Sequence, residues 1–117
     1  MSKPTALNID LYKGDNYSWQ FRFTSAGVVE NITGWTLYFT AKRYLSDPDI
    51  NAIIQKIVTT HTDPTNGVTT VSMSHVETNA LPVGTWFYDV QIKTAADEIY
   101  TVFKGQFKVW ADVTLVH

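Results

Sequence analysis

The chain has 117 residues, nine basic and eleven acidic side chains, a formal net charge of −2 and no cysteine. That length suits one domain over residues 1–117 with a core of its own, and the missing cysteines exclude a disulfide scaffold, thiol catalysis, iron–sulfur clusters and thiolate zinc sites. The balance of charge lacks the basic field that replaces phosphate counterions, so nucleic acid is not an expected partner, and no apolar run approaches the ~20 residues of a membrane span.

From the N-terminus, residues 1–10 lack the apolar stretch of a signal peptide, and a first strand is expected over 8–13. Tyr17, Trp19, Phe21 and Phe23 then alternate with polar residues, which predicts a half-buried strand with an aromatic inner face. Residues 25–34 carry the turn chemistry of Ala26-Gly27 and Thr33-Gly34. A second such strand spans 36–44, with Leu37, Phe39 and Ala41 on one side and Tyr38, Thr40 and Lys42 on the other. Pro48 breaks the pattern. Residues 53–61 form a third β-branched strand of ambiguous phase, since Ile53 and Ile57 share one face and Ile54 and Val58 the other. Either burial on both faces or a bulge would explain it.

Asp63-Pro64-Thr65-Asn66-Gly67 is a strong turn, followed by a short strand over 68–74 with Val71 and Met73 inward. Ser74 and Glu77 match a capping box, and Pro82 and Gly84 limit the helix to about one turn. Trp86, Tyr88, Val90 and Ile92 point inward from a strand over 85–93. After a polar loop comes a long strand over 99–110, with Gly105 the expected bend or bulge. No helix is long enough for a parallel crossover. The fold class is therefore antiparallel all-β, about seven strands with one short helical turn, arranged as a two-sheet sandwich or, alternatively, a small closed barrel. The expected core is Trp19, Phe21, Phe23, Leu37, Phe39, Val71, Trp86, Tyr88, Val90, Phe103 and Phe107.

Catalytic patterns are missing. His61, His75 and His117 have no metal-ligand spacing and read as solvent-facing. Asp47, Asp49 and Asp63 read as turn formers rather than calcium ligands. There is neither a nucleophile elbow nor a phosphate loop, so no enzyme activity, metal or cofactor is expected. The glycosylation triplets at Asn16 and Asn31 read as coincidence. The informative residues are the sixteen aromatics. Most fall on inward positions, while Tyr38, Tyr44, Phe87, Tyr100 and Trp110 fall on outward ones. Several outward aromatics on one sheet suggest a protein interface or a sugar-stacking platform.

Longer-range order adds to this. Lys13-Gly-Asp-Asn-Tyr-Ser-Trp-Gln-Phe opens an alternating strand. Thr36-Leu-Tyr-Phe-Thr-Ala-Lys-Arg, Leu45-Ser-Asp-Pro-Asp, Ile53-Ile-Gln-Lys and Thr62-Asp-Pro-Thr-Asn-Gly-Val follow. Then come Leu81-Pro-Val-Gly-Thr-Trp-Phe-Tyr-Asp-Val-Gln-Ile and Val102-Phe-Lys-Gly-Gln-Phe-Lys-Val. In order and spacing, from about residue 8 to 114, the chain resembles phage tail and baseplate structural proteins, including the N-terminal immunoglobulin-like domain of baseplate upper proteins. The resemblance implies an immunoglobulin-like β-sandwich that serves as an assembly or attachment module, with no catalytic residues.

The expectation is a virion structural protein of tail, baseplate or capsid, made in the host bacterial cytoplasm. Its partners are other virion proteins, or its own copies in a homo-oligomer, ring or shell. A carbohydrate-binding module using exposed aromatics is the alternative, and a cell-surface adhesion module is weakened by the missing export signal. Tyr38, Tyr44, Tyr100 and Trp110 are the candidate interface residues. In the final strand the outward set is expected to be Tyr100, Val102, Lys104, Gln106, Lys108 and Trp110. Trp110 is either an interface anchor or packed on residues 5–11 of its own chain.

Overall fold

The structure, a computed structural model, describes residues 5–44, 46–48 and 51–111. Its strands are β1 (Thr5–Ala6), β2 (Ile9–Tyr12), β3 (Tyr17–Arg22), β4 (Thr24–Ser25), β5 (Val28–Val29), β6 (Thr36–Lys42), β7 (Ile54–Val58), β8 (Val68–Met73), β9 (Gly84–Lys93) and β10 (Ile99–Trp110). A 3-10 turn at Pro64–Asn66 precedes β8, and helix α1 (His75–Asn79) joins β8 to β9. The larger sheet runs β10-β9-β6-β7, with β1 and β2 both flanking β10; β3 and β8 form a second sheet, and β4 and β5 a small hairpin.

Phe39, fully buried on β6, joins the layers. Trp19 of β3 stacks on it at 6.1 Å between ring centroids, and Tyr88 and Phe107 of the larger sheet approach at 5.2 and 5.9 Å. Phe21 meets Phe103 at 4.9 Å. Of the expected core, Phe21, Phe23, Leu37, Phe39, Val71, Tyr88, Val90 and Phe107 are buried, while Trp19, Trp86 and Phe103 are half-buried against them. Alternation identified these positions because a strand turns every second side chain to the same face.

The ladders are not all antiparallel: β1 and β2 run parallel to β10. They share one register, Thr5 opposite Phe103 and Ile9 opposite Phe107, so they are one strand interrupted at Leu7 and Asn8. The interruption lies beside Gly105. A Cβ there would collide with the Leu7 carbonyl oxygen, so Gly105 serves close backbone approach rather than the expected bend. Leu7 N–H donates to the Lys104 carbonyl at 2.9 Å, and Asn8 Oδ1 accepts from Gln106 N–H at 3.1 Å. Tyr88, opposite Gly105 on β9, donates its hydroxyl to the Leu7 carbonyl. Burial pushes the Tyr88 hydroxyl up to about 12, which keeps it a neutral donor. Ile9 and Leu11 of the strand thus held are buried in the core.

The real irregularity of β10 falls earlier. Register against β9 slips between Thr101 and Phe103, leaving Val102 as the extra residue. Such a slip inverts the phase. Tyr100 lies opposite the buried Ile92 and packs on the core, and Val102 also packs there, so neither belongs to the outward set. Lys104, Gln106, Lys108 and Trp110 do. The ambiguous strand resolves as neither alternative: β7 is an edge strand that starts at Ile54, with Ile54 and Val58 half-buried inside and Ile57 outside. The turn-rich 25–34 stretch also holds more than turns. Ala26 and Gly27, both at positive φ, link β4 to β5, and Ile32 and Trp35 plug one end of the core.

Phe39→Ala is expected to cost about 3–5 kcal/mol in denaturant unfolding, because it empties the contact between the layers. Gly105→Ala is expected to cost about 1–3 kcal/mol by the same measurement, with hydrogen exchange accelerated at Ile9 and Leu11 as the N-terminal strand is pushed off β10.

Candidate interaction surface

Strand pairing defines the outer face of the larger sheet, since residues paired across a ladder point to the same side. Tyr38 of β6 lies between Ile57 of β7 and Gln91 of β9, and Gln91 faces Thr101 of β10. The adjoining row places Ile99 opposite Lys93. Further along, Lys42 pairs with Phe87 and Phe87 with Gln106. At the far corner Trp110 of β10 pairs with Tyr12 of β2. Tyr12, Ile57, Phe87, Ile99 and Trp110 are all exposed, Ile57 by 58% and Ile99 by 62%. A groove of about 460 Å³ crosses this face, walled by Tyr38, Ile57 and Ile99 over Thr40, Gln55 and Gln91. Gln55 Nε2 donates to Thr40 Oγ1 at 3.1 Å and fixes part of its floor.

The four candidate interface residues do not form one group. Tyr38 and Trp110 occupy opposite parts of the outer face. Tyr44, 67% exposed, lies past the end of β6, and Tyr100 is on the core side with its hydroxyl donating to Glu98 at 3.1 Å. Trp110 meets its own N-terminal strand: Tyr12 stacks on it at 6.3 Å, and Lys108 Nζ sits 3.7 Å over its ring. Ile57, Ile99 and Tyr12 were not recognised from sequence. Ile57 lies in a strand of ambiguous phase, Ile99 is outward only through its pairing with Lys93, and Tyr12 ends a four-residue strand too short for alternation to assign its face.

The end of the molecule near α1 is tightly pinned. Ser74 Oγ accepts from Glu77 N–H and Glu77 Oε1 accepts from Ser74 N–H, which completes the expected capping box. The buried Thr78 hydroxyl accepts from Gly14 N–H at 3.1 Å and donates to the Asp15 carbonyl at 2.8 Å. Asn16 Oδ1 accepts from His75 N–H at 2.6 Å. After α1, Trp86 Nε1 donates back to the Pro82 carbonyl at 2.9 Å, which closes a corner at the start of β9. Arg43 stands 5.2 Å over the same indole. Glu77 has a second duty. Its Oε2 accepts from Lys56 Nζ of β7 at 2.6 Å, and that charge, with the Ser74 amide, lowers the Glu77 carboxyl below its ordinary 4.5.

His61 is not solvent-facing. Its Nε2 donates to the Trp35 carbonyl at 2.7 Å and its Nδ1 contacts the Thr69 hydroxyl at 2.9 Å, a clamp between the start of β6 and β8. His75 is exposed, and His117 lies outside the described residues. Asp63 accepts from Asn66 Nδ2 at 2.9 Å, the turn role expected of it, while Asp49 lies outside the described residues. Among the described residues no three His, Asp or Glu side chains converge in a way that could hold a metal ion, and no helix is long and apolar enough to cross a membrane. No family model matches the chain, and no curated protein matches it.

Glu77→Gln keeps both arms of the cap and loses only the charge opposite Lys56, so it should be less destabilising than Glu77→Ala. The folded carboxyl titrates below 4.5, so the charge contributes in full above that pH and is lost as pH falls through the lower, folded value. The stability gap between wild type and Glu77→Gln is therefore expected to be constant near neutrality and to close in acid, as measured by urea unfolding from pH 7 to 3.

Proposed function

We propose that this protein is a non-enzymatic structural component of a phage virion, in the tail, baseplate or capsid-associated layer, and that it works by protein–protein assembly. The observation that carries the reading is the outer face of the larger sheet. It presents Tyr12, Ile57, Phe87, Ile99 and Trp110 to solvent, with Ile57 and Ile99 beside a groove of polar floor and the other three further along the sheet. Apolar anchors set among polar groups are the composition of a docking surface, and a sheet face provides the area.

The strand order supports an immunoglobulin-like sandwich as its frame. A sheet of the type β10-β9-β6, extended by β7, opposite a β3-β8 pair corresponds to the G-F-C sheet with an added edge strand opposite B and E. The Trp86 corner at the start of β9 stands where that fold places its tyrosine corner. A fold of this kind hosts many functions, so assembly is argued from the exposed face and from the sequence resemblance together. The sugar-stacking alternative loses its best platform at Trp110. A sugar ring would have to displace Tyr12 or Lys108 from the indole.

The test is composition. Mass spectrometry of purified particles from the phage that encodes the chain should find it at a fixed ratio to the major tail or capsid protein. Its absence from particles, with the protein abundant in the infected cell, would overturn the reading. Within such particles, Phe87→Ser should lower incorporation while leaving the circular dichroism of the isolated chain unchanged.

A further inference from the structure

The two edges of the larger sheet are treated differently. On one side, β1 and β2 are guarded. The strand is interrupted at Leu7 and Asn8, and the outward-pointing Tyr12 N–H is capped by the Tyr17 hydroxyl at 2.8 Å. Breaks and side-chain caps of this kind stop an edge from recruiting a further strand. On the other side, β7 pairs with β6 and with no other strand among the described residues. It reads Ile-Gln-Lys-Ile-Val, has no proline and no bulge against β6, and Ile57 is exposed on it. Its one charge, Lys56, is turned to the inner side and neutralised by Glu77. The lysine that would ordinarily protect such an edge is therefore already engaged.

We infer that β7 is an assembly seam at which two copies of this chain pair, antiparallel and about a two-fold axis, to continue the larger sheet across the pair. This deepens the assembly function proposed above and rests on it. The occupant is a second copy because the strand is complementary to itself. About an axis through Lys56, Ile54 faces Val58 of the other copy on the inner side, and Gln55 faces Ile57 on the outer side. The two lysines at the axis are each held by their own Glu77, which removes the repulsion that would otherwise oppose the pairing. A two-fold contact needs only one patch, used twice, and every ladder hydrogen bond made in one direction is repeated in the other. The seam also brings the exposed Ile57 and the adjoining Tyr38 of both copies onto one continuous outer face.

The register makes the test specific. Sedimentation and native mass spectrometry of the wild-type chain should show a dimer in neutral buffer of physiological salt. Gln55→Lys with Ile57→Lys places like charges opposite each other twice, and should weaken the dimer by roughly tenfold or more. Gln55→Glu with Ile57→Lys places opposite charges at the same two crossings, and should restore a dimer that loosens as salt is raised. Both positions are exposed and outside the core, so each variant is expected to keep the wild-type fold, read by circular dichroism, with at most a small drop in melting temperature from the lost Gln55–Thr40 bond. A wild-type chain that stays monomeric at ~1 mM overturns the seam but not the virion reading, which also allows a different partner. An oligomer that survives the double-lysine change places self-association elsewhere and overturns the seam. Failure of the glutamate–lysine pair to restore what the double lysine removes overturns the two-fold register. The virion reading itself fails only through the composition of the particles.

Discussion

Among the described residues no hydrogen-bonded ladder joins the β3-β8 sheet to the larger one, so their cohesion depends on side chains, and those side chains converge on Phe39. Its ring lies nearly parallel to Trp19, with 7° between the planes, and Trp19 in turn stacks on Tyr17 at 5.7 Å. On the other side it meets Tyr88 at 22° and Phe107 nearly edge-on at 72°. A column of four rings therefore runs from the small sheet through the centre of the large one. Offset-stacked and edge-to-face pairs add about 0.5–1.5 kcal/mol each beyond the area they bury, and they constrain orientation as well as distance. Both ends of the column finish in a tyrosine hydroxyl bonded to the N-terminal strand: Tyr17 accepts from Tyr12 N–H and Tyr88 donates to the Leu7 carbonyl. The stack that joins the sheets thus also fixes the strand that closes one edge.

What could be read from sequence follows from this arrangement. Where a strand buries one face against the column, residues alternate, and β3, β6, β9 and the second half of β10 were legible from Tyr17, Phe39, Tyr88 and Phe107 outward. The capping box and the Asp63 turn were legible because a few adjacent residues determine them. The rest depended on partners distant in the chain. Gly105 reads as a bend until Leu7 is placed beside it. His61 reads as a surface residue until Trp35 and Thr69 supply acceptor and hydroxyl on either side. Ile32 and Trp35 lie in a stretch with turn residues, and no periodicity reveals that the stretch folds back over the open end of the core.

The bulge at Val102 had the widest consequence for the candidate surface. Alternation carried through it without a break assigns Tyr100 and Trp110 to the same face, and the register slip separates them. Nothing local marks the position, since Thr101, Val102 and Phe103 are all good strand residues. The reason lies across the ladder. Ile92 and Val90 of β9 are both buried, and β10 has to set Tyr100 and Phe103 beside them to cover the same core. Tyr100 and Phe103 lie three positions apart where their partners Ile92 and Val90 lie two apart, so one residue must be extra. Only the positions of β9 contain that information.

Edges complete the argument because they depend on the same column. The N-terminal strand is capped at Tyr12 by Tyr17 at the end of the stack, and where it lies close over Gly105 its Leu7 carbonyl accepts from Tyr88. Among the described residues no tyrosine hydroxyl caps β7. It attaches to the frame through its ladder with β6, through Ile54 and Val58 packed on the core, through Gln55 on Thr40, and through Lys56, which reaches Glu77 on α1. That single ion pair is partly exposed and worth little to stability by itself. Its consequence is local: alternation already turns Lys56 inward and Gln55 and Ile57 outward, and the ion pair engages the one charge of β7 on the inner side. A monomer gains nothing from an uncharged edge, which exposes strand hydrogen bonds to any passing chain. An assembling subunit does gain, because the same feature that endangers a solitary protein supplies a directional contact. The asymmetry between the guarded and the open edge is the feature that distinguishes these two ways of existing, and it is the feature on which the proposed seam rests.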